Sequence, residues 1–252
     1  MVSALFTHAL RQSGRARRVL PWIVMGILCA VLAAFWPNFS PGANAQESYI
    51  AVIGLATVRV LALASAIMTT AVIGQEVEGR TIVYLLTRPI PRPVLLLVRF
   101  AASVVVVTLL GLFAFFMTSV GAHEGIGSNP LLLRDLAVVA LGALSYGALF
   151  LFVSLVVNRA LILCVLFAFG WETAVPNMPG DIYRASILSH LQAAMAHPVG
   201  KGASTSLLTG GRTNLISPTS GVVTMLILSA ALLALSAWWF TTHEYIPRED
   251  AE

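Results

Sequence analysis

Charge is what this sequence has least of. Only 10% of its 252 residues are charged, against 58% of hydrophobic types, whereas an ordinary soluble domain carries about 25% charged residues. So few charges cannot cover a water-facing surface, and most of the outer surface must face something apolar. Lysine is almost absent: fourteen of the fifteen basic residues are Arg and one is Lys201, for a formal net charge of +4. That excess is thin and scattered, which argues against nucleic acid as a partner. The two cysteines, Cys29 and Cys164, both lie inside apolar runs. They exclude a disulfide framework and a zinc site, and read as small buried hydrophobes.

Catalytic signatures are missing as well. His123-Glu124 and His243-Glu244 do not extend to His-Glu-x-x-His, no Gly-x-Ser-x-Gly elbow occurs, and Ser145 has no base near it in sequence. A nucleotide-binding P-loop needs Gly-Lys-Ser/Thr. Lys201 stands instead in Gly200-Lys201-Gly202. The chain therefore carries no ATPase site of this kind, no catalytic residues and no cofactor or metal site that its motifs reveal.

What is present is long apolar runs. A bilayer core of about 30 Å takes about 20 apolar residues in a helix. Six runs approach that length: Val19–Trp36, Ile50–Gly74, Val94–Gly121, Leu136–Val157, Ala160–Val175 and Gly221–Thr241. The fold class expected is all-α, a polytopic membrane protein with six transmembrane helices. The fifth run is short, and Asn158-Arg159 barely separates it from the fourth, so those two helices form a tight hairpin. Arg15–Arg18, an apolar run and Ala43-Asn44-Ala45 together have the form of a signal peptide. The run is long for that role and further spans follow, so it reads as the first crossing.

Basic residues set orientation. With the N-terminus inside, the inner segments hold Arg11, Arg15, Arg17, Arg18, Arg80, Arg88, Arg92, Arg99, Arg159 and Arg248; the outer ones hold Arg134, Arg184, Lys201 and Arg212. Both termini are expected in the cytoplasm of a cell with a bacterial-type inner membrane. Residues 1–252 form a single transmembrane domain with three extramembrane parts. Residues 1–18 make a basic helix lying on the inner leaflet, where anionic lipid attracts Arg. Residues 75–93 make an inner segment. Residues 176–220 make an outer segment, opened by an amphipathic helix whose stripe is Tyr183, Ile187, Leu191 and Ala194. That helix either rests at the outer interface or caps the bundle.

Two charges fall inside spans: Arg59 in the second and Glu172 near the outer end of the fifth. Either one facing lipid at the bilayer centre costs about 2.5–3.5 kcal/mol on insertion scales. An ion pair between them would offset part of that cost; the alternatives are a role in a substrate path or gate, or Arg59 snorkelling alone to the outer headgroups. Ala143-x3-Gly147 and Gly111 suit close helix packing. His190, Met195 and His197, with Met178 before them, could offer soft metal ligands; the plainer reading is an interfacial helix with ordinary residues.

The inner segment holds the strongest functional signal. Glu76 and Arg80 are spaced i, i+4 in the favourable order, Ile82, Leu85 and Leu86 make an apolar side, and Pro89, Pro91 and Pro93 stop the helix at a stiff elbow. A plain loop needs none of this. The segment reads as an interfacial helix or as a docking helix for a cytoplasmic partner that transmits a rigid-body push. The run Glu76-x-Glu78-x-Arg80-Thr81-x3-Leu85-Leu86-x2-Pro89-x2-Arg92, followed by Leu96, Leu97 and Arg99-Phe100, resembles the inner segment of ABC-2 type transporter permeases. A basic helix before the first span, Trp171-Glu172 at the end of the fifth and His243-Glu244-Tyr245 after the sixth extend the resemblance over nearly the whole chain. Val98-Arg99 stand where many members carry Gly-Lys, and Pro91 where others carry a polar residue.

The resemblance implies a six-span permease bundle with a cytoplasmic coupling helix, seated in a cleft of a separate ATP-binding cassette subunit. Glu76, Glu78, Arg80, Thr81, Leu85 and Leu86 would contact that subunit, and Pro89 and Arg92 would pass its movement to the third span. Two permease subunits, identical or different, would frame an export path through membrane lipid. An ion-coupled secondary transporter and a non-transporting membrane assembly factor stay open beside it.

Overall fold

The computed structural model describes residues 2–40, 42–78, 91–123, 129–178, 181–197 and 216–242. Among them every regular element is helical and no strand occurs. The order is α1 (Val2–Ser13), α2 (Ala16–Phe39), α3 (Ala45–Val52), a π turn (Ile53–Thr57), α4 (Val58–Glu78), α5 (Arg92–His123), α6 (Leu132–Val156), α7 (Ala160–Leu166), a second π turn (Phe167–Trp171), α8 (Glu172–Ala174), α9 (Ile187–Met195) and α10 (Pro218–Thr242). Short 3-10 turns, Val175–Asn177 and Ile182–Ala185, join α8 to α9.

Among the described residues, five helices are long and apolar enough to cross a membrane: Ala16–Phe39, Ala45–Val72, Pro93–His123, Leu132–Val156 and Pro218–Thr242. The expected fifth crossing is the shorter helix Ala160–Ala174. At 1.5 Å per residue it reaches about 22 Å, less than the full hydrocarbon core. Five full-length spans and one short apolar helix thus stand where six runs, the fifth of them short, were expected. The second span starts earlier than its apolar run. Asn44 Oδ1 accepts from the Glu47 amide at 2.8 Å, and the Glu47 carboxylate accepts from the Asn44 amide at 3.3 Å. This capping box begins the helix at Ala45. The third span also starts early, at Arg92. The Pro91 carbonyl accepts from the amides of Val94 and Leu95, and Pro93 sits in the first turn, where no intrahelical donor is needed.

The second span is the centre of the bundle. Of its most apolar window 72% is buried, against 22% for α2 and for α10. It packs on α5 and α6; α2 lies along α5, and α10 along α6. The outer helices bury narrow stripes: Trp22, Gly26, Cys29 and Ala33 on α2, and Gly221, Met225, Ser229, Ser236 and Phe240 on α10. Leu20, Val24, Ile27, Val31 and Phe35, with Val223, Ile227 and Trp238, face outward, as lipid-facing side chains do. Lipid tails are as apolar as Leu, so small residues that let backbones close must hold the helices together. Gly121 is the extreme case: a Cβ there would lie 2.1 Å from the Ala30 carbonyl oxygen. Gly111 meets Leu61 and Val139, and Gly147 meets Phe100 and Val104, so the small residues singled out from sequence do lie at helix crossings. Ser145 bonds across to Ser229 of α10 at 3.0 Å.

The helix α9 does not lie on a surface. Tyr183, Ile187, Leu191 and Ala194 are buried as the stripe requires, but so are Leu188, Ser189, His190, Ala193 and Met195. Its second face fits because Gly221 of α10 brings its backbone against the His190 carbonyl, 2.8 Å from where a Cβ would stand. Of the two placements open from sequence, α9 takes the one that plugs an end of the bundle.

Candidate functional site

Three groups of residues are candidates for function. The first is the expected coupling segment. Glu76 and Glu78 belong to the last turn of α4, which continues the second span without a break. Arg92 is the first residue of α5 and so belongs to the helix rather than to a loop before it. Arg80, Thr81, Leu85, Leu86 and Pro89 lie outside the described residues. The chain thus leaves the second span and enters the third at one end of the bundle, the end against which α1 packs.

The second group is the pair of intramembrane charges. Glu172 is 2% exposed. One carboxylate oxygen accepts from the Ser186 hydroxyl at 2.6 Å and from the Leu188 amide at 3.0 Å; the other accepts from the Ile187 amide at 3.1 Å. Ser186 is the N-cap of α9, and its hydroxyl oxygen also accepts from the Ser189 amide. The carboxylate therefore closes the donor-rich start of α9 and meets the positive end of its dipole. Arg59 turns the other way. It donates to the carbonyls of Gly54, at 2.9 Å, and Leu55. Those carbonyls belong to the π turn, where the i→i−4 ladder is interrupted. Arg59 and Glu172 lie within electrostatic reach of each other, but each has its hydrogen bonds elsewhere and no ion pair joins them. The sequence reading put the two charges together and did not foresee the separate backbone partners that each of them finds.

The third group was not read from sequence as a unit. Asp135, fully buried in the first turn of α6, accepts the Tyr49 hydroxyl at 2.7 Å and meets His197 Nε2 at 2.8 and 2.9 Å. His123 packs edge-on to Tyr49. Asn129 donates to Ser119 at 3.0 Å beside them. The cluster ties α3 and the start of α6 to His197, just past α9, where Ala196 turns the chain at φ 43°. Asp135 near a helix start has an unremarkable local explanation, and nothing local reveals partners 86 and 62 residues away. Among the described residues no three His, Cys, Asp or Glu side chains come together to hold a metal ion; His190 is bonded to the Ser186 carbonyl and His197 to Asp135.

Residues 15–172 match the family described as ABC-2 family transporter protein. The match takes in more than half of the chain, from α2 to Glu172 and through the segment between α4 and α5. The chain belongs to the ABC-2 transporter family. It is a multi-pass membrane permease of the ABC transporter type, and the segment between α4 and α5 and most of the fifth apolar helix fall within the matched region. Comparison with curated proteins finds no match.

Proposed function

We propose that this chain is the transmembrane subunit of an ATP-driven exporter, coupled through residues 75–93 to a separate ATP-binding cassette subunit and paired with a second permease subunit. The single observation behind this is the chemistry at the end of α4. Two carboxylates, Glu76 and Glu78, stand in the last turn of α4, and that turn contains no basic residue. Acids at the negative end of a helix dipole are unfavourable by about 0.3–1 kcal/mol each. Their placement makes sense if a cationic partner receives them. Arg80, Thr81, Leu85 and Leu86 extend the same surface in sequence, and Pro89 and Arg92 lead it into α5, so a push on the segment acts on two spans at once.

The absence of a P-loop lysine supports an external energy source. The ten-to-four distribution of basic residues supports six crossings with both termini in the cytoplasm of a cell membrane, with the short helix Ala160–Ala174 and its 3-10 extension making the fifth. Arg59 and Glu172 then serve packing at the outer half of the bundle, one holding the π turn and the other α9.

Co-purification tests the proposal. Glu76→Ala with Arg80→Ala leaves insertion intact and lowers recovery of the ATP-binding subunit, or frees its hydrolysis from control by the permease. Unchanged recovery together with unchanged coupling overturns the assignment of this segment.

A further inference from the structure

The second span is buried along almost its whole length, and the exception is one stripe. Between residues 48 and 69 the only residues not buried are Leu55, Ala56, Arg59, Leu63 and Ile67. They recur every three to four residues and so share one face of the helix. Four are apolar; the fifth is a guanidinium group at the middle of the span Ala45–Val72. An ionisable side chain open to the surface at that depth marks a path or a partner. Arg59 also spends only part of its bonding capacity. Nη1 donates both of its hydrogens, to the carbonyls of Gly54, at 2.9 Å, and Leu55. The edge formed by Nε and Nη2 has no acceptor among the described residues and is not sealed inside the chain. That edge is the fork that takes a carboxylate or a phosphate through two parallel bonds. Glu172 lies within electrostatic reach, but its oxygens are taken by Ser186, Ile187 and Leu188 and it gives the fork no bond.

The chemistry of the stripe selects its occupant. A second copy of this chain has no acid to spare at that level: within the described spans Glu47, Asp135 and Glu172 all hold partners of their own. The phosphate of a resident lipid stays at headgroup level. The guanidinium lies level with Gly54 and Leu55, about 14 Å along the helix from the start of the span at Ala45. An anion that is itself largely apolar can enter to that depth, and beyond Arg59 the apolar side chains of Leu63 and Ile67 continue the stripe for about 12 Å. We propose that this stripe binds an amphipathic anion, its acidic head on the Nε–Nη2 edge of Arg59 and its apolar tail along Leu63 and Ile67, and that molecules of this class are the cargo. The assignment as cargo rests on the transport reading above; the binding does not.

The test is equilibrium dialysis of labelled laurate against the full-length chain in phosphatidylcholine nanodiscs, with empty nanodiscs as background. Laurate is expected to bind saturably, and more tightly than dodecanol, which lacks the charge, or acetate, which lacks the tail. Arg59→Gln weakens laurate binding about tenfold or more, and Arg59→Lys less, because it keeps the charge and loses the fork. Ile67→Ser, at an exposed position, weakens it about fivefold. Arg159→Gln, an exposed cation away from the stripe, leaves it unchanged. Equal binding of laurate and dodecanol overturns the proposal, as does a loss with Arg159→Gln as large as that with Arg59→Gln. Abolition of laurate binding by phosphatidylglycerol in the nanodisc overturns it in favour of a resident lipid. If Arg59→Gln fails to fold, Arg59→Lys and Ile67→Ser decide. The cargo assignment has its own readout, stimulation by laurate of ATP hydrolysis in the complex with the ATP-binding subunit. Binding without stimulation overturns that assignment alone. Failure of any ATP-binding subunit to associate overturns the transport reading and leaves the binding result standing.

Discussion

The Glu172 carboxylate and the Ser186 hydroxyl lie 2.6 Å apart, and through this bond the end of one apolar helix caps the beginning of another. The same carboxylate takes the amides of Ile187 and Leu188, so a charge at membrane depth is balanced by three donors rather than by a cation. This explains how α9 can start inside the bundle. A helix start has free N–H groups, and burying them without acceptors is costly.

Replacing Glu172 by Ala leaves those donors without their acceptor, at about 1–3 kcal/mol for each buried group left unsatisfied. A marked fall in thermal stability of the detergent-solubilised protein is expected, with Glu172→Gln losing less because it keeps one carbonyl oxygen. The double exchange Arg59→Glu with Glu172→Arg should be as damaged as Glu172→Arg alone, since an arginine accepts no hydrogen bond. Recovery in the double exchange would mean that the two charges act as a pair after all.

The Asp135 cluster makes a second prediction. Tyr49→Phe removes one bond to a buried carboxylate and should cost about 1.5–3 kcal/mol. Asp135→Ala should cost more, because it strips the acceptor from both Tyr49 and His197. In a double-mutant cycle the two substitutions should be strongly non-additive, as expected of groups in one network. Additive losses would show that the Tyr49–Asp135 bond contributes little.

Much of this architecture was legible before the structure, and the rest was hidden for definable reasons. Apolar run length located every long helix, because spanning a bilayer imposes a length that sequence must satisfy. The stripe Tyr183, Ile187, Leu191 and Ala194 marked the buried side of α9. Its second buried side was not visible, because Ser189, His190 and Ala193 are ordinary interfacial residues until Gly221 approaches them. Asn44-x-x-Glu47 was a readable helix start that apolar run length overshadowed. The π turn at Ile53–Thr57 has no sequence signature of its own; what reveals it is that Arg59 reaches back to its carbonyls. Glu172 was recognisable as a costly charge, but its backbone partners come from a turn whose path only tertiary structure defines.

Helix crossings make a graded prediction. Gly121→Ala places a methyl group against the Ala30 backbone, which cannot move without shifting α2, and should destabilise by about 1–3 kcal/mol or more. Gly111→Ala meets Leu61 and Val139 side-chain atoms at 2.7 Å. Those can rotate, so the loss should be smaller. Gly170→Ala has nothing within 4 Å and should be nearly neutral. Melting temperatures followed by size-exclusion chromatography would rank the three. An order other than Gly121, Gly111, Gly170 would mean that the α2–α5 contact is looser than described.

Topology offers the most economical test of the transport reading, and the native cysteines make it practical. Cys29 and Cys164 are 3% and 1% exposed, so a membrane-impermeant thiol reagent should leave the unaltered chain almost unlabelled. A cysteine introduced at Thr87, between the second and third spans, should react only after the cells are permeabilised. One introduced at Thr205, beyond α9, should react in intact cells. This pattern follows from the excess of Arg on the N-terminal side of the membrane, and it is required if an ATP-binding subunit is to reach residues 75–93. The opposite pattern would put that segment where no cytoplasmic ATPase can touch it. Glu76, Glu78 and Arg80 would then need another partner, and ATP-driven export through this chain would have no point of coupling.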